Sequence, residues 1–267
     1  MNNKPIGVFD SGVGGLTVVL EILRQLPNEE VIYFGDTARN PYGPKPVDVV
    51  TDFSEQITRF LLTKDVKAVI IACNTATIAS LDTLSKKFDV PIIGVVDSGV
   101  ESAVMSTQNK KIGLIATENT VKSHSYKNLI VKKDPKAKVF SQACPLLVSL
   151  AEECLFDGEI SYLTCKYYLE DLIKQDIDCL ILGCTHFPLH KSNIKKELGT
   201  NINLVDPALG TVEKLKNLLK EKNMLKNTFQ KPDHKFYISG NTEKFTKICN
   251  TALNGSFIIE QVEIEKY

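Results

Sequence analysis

The feature that most constrains this chain is its rhythm. Short apolar runs at residues 5–9, 30–34, 67–72, 92–96, 111–115, 137–141, 178–182 and 202–205 alternate mostly with helix-length segments. Such alternation specifies βα units and mainly parallel sheets, because parallel neighbours need a long crossover between them. Val69-Ile-Ile71 and Leu180-Ile-Leu182 are apolar without a polar alternate, so both are expected to be central strands with helices on both faces. Helices are expected at about 15–26, 47–64, 75–88, 158–174 and 207–222; in the last, Val212, Leu215, Leu218 and Leu219 form a helical stripe.

A weak internal repeat lies within this rhythm. The run Val66–Cys73 reads closely on Ile177–Cys184, which lies 111 residues later. Ile6–Phe9 reads on Ile112–Ile115 at 106 residues, and Val95-Val-Asp97 on Leu204-Val-Asp206 at 109. Matches in one order at nearly one offset imply a duplicated architecture. The expected fold is therefore α/β: two similar βα domains with mainly parallel sheets related by a pseudo-twofold, and an active site in the cleft between them. Residues 1–97 with 206–267 packing back make the first domain, and 98–205 the second. No low-complexity linker divides them, and Lys231-Pro-Asp233 is the one late break.

Composition narrows the classes of function. The 32 basic residues cancel the 32 acidic ones, so no broad field draws the protein to nucleic acid or to an anionic membrane. No apolar run approaches the ~18 residues of a membrane span, and no signal-peptide core precedes Ile6, so a cytoplasmic address is expected. The seven cysteines are scattered without a C-x-x-C pair, which reads as reduced thiols. Most such thiols are small buried hydrophobes, and only those at a special location escape that reading.

Cys73 and Cys184 are at such a location. Both follow a central strand, and in parallel α/β sheets ligands bind outside the carboxyl ends of the strands. If the halves are related by the pseudo-twofold, the two thiols face each other across one cleft. Two opposed acid/base groups suit removal of a proton from one face of a carbon and delivery to the other, which inverts a stereocentre. A thiol, with a reference pKa of about 8.5, can serve as base in one form and as acid in the other near neutral pH.

Each cysteine has tuning candidates: Asp10 at the end of the first strand, and His186 two residues after Cys184. Either could instead be structural, Asp10 as a helix cap. The turn Gly12-x-Gly14-Gly15 lacks the spacing of a dinucleotide or P-loop fingerprint. Backbone N–H groups and hydroxyls at Ser11, Asn74, Thr75 and Thr185 suit a carboxylate instead, since helix N-termini favour anions. Arg24, Arg39 and Arg59 are the only arginines and none adjoins a cysteine motif, so neutral donors are expected to hold the anion. The proline-rich loop Gly35–Pro46 can wall the site, with Tyr42 and Gly43 reaching the ligand. A metal- or ligand-binding protein is the alternative outside enzymology, with Cys73, Cys184 and His186 as an incomplete ligand set.

Asp10-Ser-Gly-Val-Gly-Gly15, Pro41-Tyr-Gly-Pro44, Ala72-Cys-Asn-Thr-Ala76 and Gly183-Cys-Thr-His186, in this order, resemble the glutamate racemase family. The likeness extends to Ala143-Cys-Pro145 with Glu152-Glu153 downstream and to Tyr237-Ile-Ser-Gly240. The resemblance implies reversible conversion of L- to D-glutamate for peptidoglycan synthesis, with no cofactor and no metal, by a homodimer. It assigns Cys73 to the D-enantiomer with help from Asp10, and Cys184 to the L-enantiomer with help from His186 and Glu153. Substrate contacts carry over onto Asp10, Ser11, Tyr42, Gly43, Asn74, Thr75, Thr185 and His186, and onto Thr120. Ser149 and Cys154 depart from the proline and glycine frequent in the family, close to the acidic pair. Related aspartate racemases tend to carry Glu where His186 stands, so glutamate is the expected substrate, with aspartate or another acidic amino acid as the alternative. With Asp10 so early, control through the N-terminal extension of some members is not expected.

Overall fold

The computed structural model describes residues 3–227 and 232–267, so of the late break Lys231 lies outside the described residues. The strands are β1 (Ile6–Asp10), β2 (Val31–Gly35), β3 (Ala68–Ile71), β4 (Ile92–Gly94), β5 (Lys111–Ala116), β6 (Lys138–Ala143), β7 (Cys179–Gly183), β8 (Asn203–Val205), β9 (Lys235–Ile238) and β10 (Ile259–Gln261). The helices are α1 (Leu16–Gln25), α2 (Val47–Thr63), α3 (Asn74–Lys87), α4 (Val96–Ser106), α5 (Glu118–Lys122), α6 (Ser125–Lys133), α7 (Pro145–Glu152), α8 (Gly158–Lys174), α9 (Lys191–Leu198), α10 (Pro207–Glu221) and α11 (Thr242–Ala252). A 3-10 helix, Phe187–His190, precedes α9.

The chain forms two compact units, Met1–Val95 with Ala208–Tyr267 and Val96–Pro207. The first holds a six-stranded sheet in the order β10-β9-β2-β1-β3-β4, and the second a four-stranded sheet in the order β6-β5-β7-β8. Every strand pairing described is parallel, as the α/β rhythm requires. Within each unit the same order recurs, second strand, first, third, fourth, and this is the physical content of the sequence repeat. The two apolar triplets sit in β3 and β7, each flanked by strands on both sides and fully buried.

Helical periodicity decides how the first sheet is covered. Ala208, Val212, Leu215 and Leu219 of α10 recur at helical spacing and pack with Val18, Val19 and Ile22 of α1 in one apolar cluster. Val50, Ile57, Phe60 and Leu61 of α2 pack with Ala76 and Leu84 of α3 in another. Each such side chain contributes about 1.5–3 kcal/mol when fully buried. Leu218, counted in the expected stripe, is only partly buried.

A buried ion pair pins the returning chain. Lys67, just before β3, places its ammonium 2.6 Å from the Glu29 carboxylate, with both side chains 2 % exposed or less. The same ammonium donates to the Met224 carbonyl (2.8 Å), and Glu29 accepts from the Lys226 N–H (2.9 Å). Thus the segment after α10 is tied to the start of the sheet before it continues to β9 and β10, which the sequence reading did not identify as strands.

Candidate active site

The first set of site residues is built at the β1/β3 edge. Phe9 pairs with Ile71 and the Ala72 N–H donates to the Phe9 carbonyl (2.8 Å), so Asp10 and Cys73 leave neighbouring strands together. This is the point where connections leave β1 toward one side and β3 toward the other, the position at which open α/β sheets bind ligands. Asp10 is fully buried, and one carboxylate oxygen accepts from the Gly12 N–H (3.1 Å) and the Gly15 N–H (3.0 Å). It therefore shapes the turn that opens α1. Gly15 has to be glycine here, since a Cβ would stand 2.5 Å from Asp10 Cβ and 2.8 Å from the Tyr33 hydroxyl.

Cys73 is the N-cap of α3, where the Ala76 N–H points at its sulfur (3.5 Å). An N–H and a helix N-terminus aimed at sulfur stabilise a thiolate. The Cys73 thiol is also within 3.8 Å of the Ser11 hydroxyl, which brings the first and third motifs into contact. Asn74 and Thr75 begin α3 and are buried. Tyr42 and Gly43 are buried beside them, Tyr42 in the same apolar cluster as Cys73. The Tyr42 hydroxyl donates to Asp36, and burial together with that carboxylate holds the phenol well above its usual range. Arg39 also pairs with buried Asp36 (2.8 Å), so the nearest arginine is committed to holding the loop.

The second set lies at the β5/β7 edge, the equivalent point of the other sheet. Ala116 pairs with Gly183, so Thr117 and Cys184 come next on adjacent strands. Thr117 caps α5 by accepting from the Thr120 N–H (3.5 Å) and donates to the Thr120 hydroxyl (3.1 Å), and Thr120 is buried. Gly183 admits no side chain, because a Cβ would lie 2.7 Å from Leu114 and 2.9 Å from the Ile115 carbonyl. Thr185 and His186 are buried in the turn that follows.

Three groups stand in line there: Cys184 Sγ lies 3.5 Å from His186 Nδ1, and His186 Nε2 lies 2.6 Å from Glu152 Oε1. Burial disfavours an imidazolium, yet the Cys184 sulfur and the Glu152 carboxylate outweigh it and hold His186 well above the usual histidine range. With Nε2 donating to the carboxylate, Nδ1 is left to exchange a proton with the thiol. The carboxylate in this line is Glu152, a correction to Glu153, which the resemblance suggested. On α7 the buried stripe is Leu147, Val148 and Ala151, and Glu152 continues it four residues after Val148. Glu153 falls at the C-cap and is exposed. The amphipathic phase of residues 145–152 is the signal that could have separated the two.

The helix ends there for a readable reason. Leu155 N–H reaches the Leu150 carbonyl (2.7 Å) and Cys154 N–H the Ala151 carbonyl (3.0 Å), with Cys154 in the left-handed region at φ 60°. This is the Schellman closure, in which that position favours glycine. The other cysteines have no such setting. Burial pushes Cys144 far up, Cys165 and Cys179 up to about 11 and Cys249 up to about 12, which keeps them protonated and inert. Among the described residues no group of three or more His, Cys, Asp and Glu side chains is gathered as a metal site needs, and no helix is long and apolar enough to cross a membrane.

Comparison with known proteins gives a consistent result. The family model for Asp/Glu/hydantoin racemases matches residues 10–215. A glutamate racemase of Neisseria meningitidis is 45% identical over 262 residues, covering 98% of this chain and 96% of that one. Among solved structures, a glutamate racemase isoform from Bacillus anthracis superposes with a TM-score of 0.94 at 40% identity, covering 98% of both chains. The Francisella tularensis glutamate racemase, solved in complex with D-glutamate, superposes with a TM-score of 0.92 at 39% identity over 100% of both. Fold, cysteine placement and full-length similarity agree: this chain belongs to the Asp/Glu/hydantoin racemase family, and within it to the glutamate racemases.

Proposed function

We propose that this protein interconverts L- and D-glutamate by two-base proton transfer, without pyridoxal phosphate or metal, and supplies D-glutamate for peptidoglycan synthesis. The observation that carries the reading is that Cys73 and Cys184 stand at equivalent switch points of two sheets with the same strand order, Cys184 beside His186 and Cys73 beside Ser11, next in sequence to Asp10. In the direction from L-glutamate, the Cys184 thiolate removes the α-proton while the Cys73 thiol gives its proton to the opposite face of Cα. The roles exchange in the reverse direction. His186, held by Glu152, returns Cys184 to its starting protonation state, and Asp10 does so for Cys73. Backbone N–H groups and hydroxyls at Ser11, Tyr42, Gly43, Asn74, Thr75, Thr185 and Thr120 are assigned to the substrate's carboxylates, in keeping with the commitment of Arg39 elsewhere. A homodimer in the cytoplasm is part of the same proposal.

Deuterium labelling tests it. In D₂O, product sampled early carries deuterium at Cα while remaining substrate stays protiated; equal early labelling of both enantiomers indicates one base and overturns the mechanism. Cys73→Ser and Cys184→Ser each abolish racemisation, because a hydroxyl is far less acidic than a thiol. Initial rates on both enantiomers of glutamate and aspartate check the substrate, and a preference for aspartate refutes it.

A further inference from the structure

His190 is fully buried, four residues beyond His186 at the end of the 3-10 helix, and the mechanism above does not use it. Its Nε2 lies 2.8 Å from the Leu147 carbonyl on α7, and its Nδ1 lies 2.8 Å from the Ser161 hydroxyl on α8. A carbonyl only accepts, so Nε2 carries the hydrogen. Ser161 accepts from Asn193 Nδ2 (2.9 Å), which also donates to the Phe156 carbonyl (3.1 Å). The Ser161 hydroxyl also lies 2.9 Å from the Phe156 carbonyl, so its one proton is shared between that carbonyl and Nδ1. The Nε2–Leu147 bond is complete when His190 is neutral, and burial keeps the ring below the usual histidine range, with His186 acting in the same direction.

The same two segments meet twice. His190 binds Leu147, and His186 binds Glu152 five residues further along α7. Five residues of α-helix advance about 7.5 Å. Four residues of 3-10 helix advance about 8 Å. The rungs are therefore in register along two antiparallel segments, and holding one sets the spacing of the other. Leu147, Val148, Leu150 and Phe187 fill the space around them in a single apolar cluster.

We propose that His190 is a positioning residue: as a neutral clamp between α7 and the 3-10 helix, it holds the Glu152 carboxylate on the His186 imidazole. The clamp is a property of the geometry; its consequence for turnover rests on the racemase reading. His190→Asn places an amide near Nδ1 and leaves the Leu147 carbonyl without its donor. His190→Gln places an amide near Nε2 and preserves that bond. Glu152 is then less firmly held in the first variant and unchanged in the second.

The test is ¹⁵N NMR titration of histidine-labelled enzyme, with racemisation rates measured beside it. In His190→Asn the His186 midpoint falls by about one unit, since an opposite charge at contact range shifts a pKa by about 1–3 units. The turnover number falls about tenfold with it, and His190→Gln restores both. In a Glu152→Gln background His190→Asn has no further effect, because the partner it positions is already absent. A His186 midpoint unmoved in His190→Asn overturns the proposal, as does the same shift in both His190 variants. A shifted midpoint with turnover within about twofold supports the clamp and refutes the catalytic role of the His186–Glu152 pair. Should His190→Asn fail to fold, Ser161→Ala, which removes the hydroxyl beside Nδ1 and frees the ring to turn, gives a smaller shift in the same direction; no shift there overturns the proposal equally.

Discussion

Glu152→Gln removes a charge while keeping the length of the side chain. The contact it alters is the 2.6 Å bond from Glu152 to a His186 side chain that is 2 % exposed, whereas the Glu152 side chain is 21 % exposed. An opposite charge at this range is worth about 1–3 pKa units, and solvent access to Glu152 places the effect at the low end, about one unit or ~1.4 kcal/mol. The His186 midpoint should fall by that amount. Because its folded-state value is raised, His186 adds stability that is complete below its unfolded value of about 6.5 and is lost as pH rises through the folded value. The wild-type protein should therefore lose melting temperature above neutral pH, and the variant should lose less.

The rate prediction has an internal check. Two enantiomers are equal in free energy, so kcat/KM from L- and from D-glutamate must fall by the same factor, although kcat and KM can divide differently in the two directions. A loss of about tenfold is expected from one unit of pKa. Circular dichroism measures initial rates from each enantiomer, and ¹⁵N NMR follows the histidine midpoints. An unchanged His186 midpoint would show that Glu152 does not act through His186, and rates within about twofold of wild type would refute the catalytic role of the pair.

Two further substitutions probe stability. Lys67→Met leaves Glu29 charged and buried, which should cost about 3–5 kcal/mol in urea denaturation, and adding Glu29→Met should recover part of it; no loss in the single variant refutes the stabilising role of this ion pair. Cys154→Gly relieves the left-handed residue closing α7 and should stabilise by about 1 kcal/mol, visible as a higher urea midpoint, with no gain refuting that account.

Why some elements were legible and others were not follows from what each depends on. The eight strands read from apolar runs all form, and so do the five expected helices, because their burial is written in their own composition. β9 and β10 were missed because Lys235–Ile238 and Ile259–Gln261 become strands only by pairing on β2 and on each other. Helices α4, α5, α6, α7, α9 and α11 were likewise unread; α4 carries Gly99 and three serines, and α5 is only 5 residues long. Cys73, Cys184, Asp10 and His186 were visible because strand ends and glycine-marked turns announce themselves. Glu152 and His190 were not, since a carboxylate among neighbours and a histidine in a short turn look ordinary until their partners are known.

The sequence by itself determined the α/β class, the duplicated strand order and the two cysteines at matching strand ends, because periodicity and local turn chemistry act over a few residues. Tertiary structure alone decided which carboxylate meets His186, where His190 spends its two ring nitrogens and how the C-terminal strands close the first sheet. Those choices depend on helix phase and on contacts between segments tens to hundreds of residues apart, which local composition does not encode.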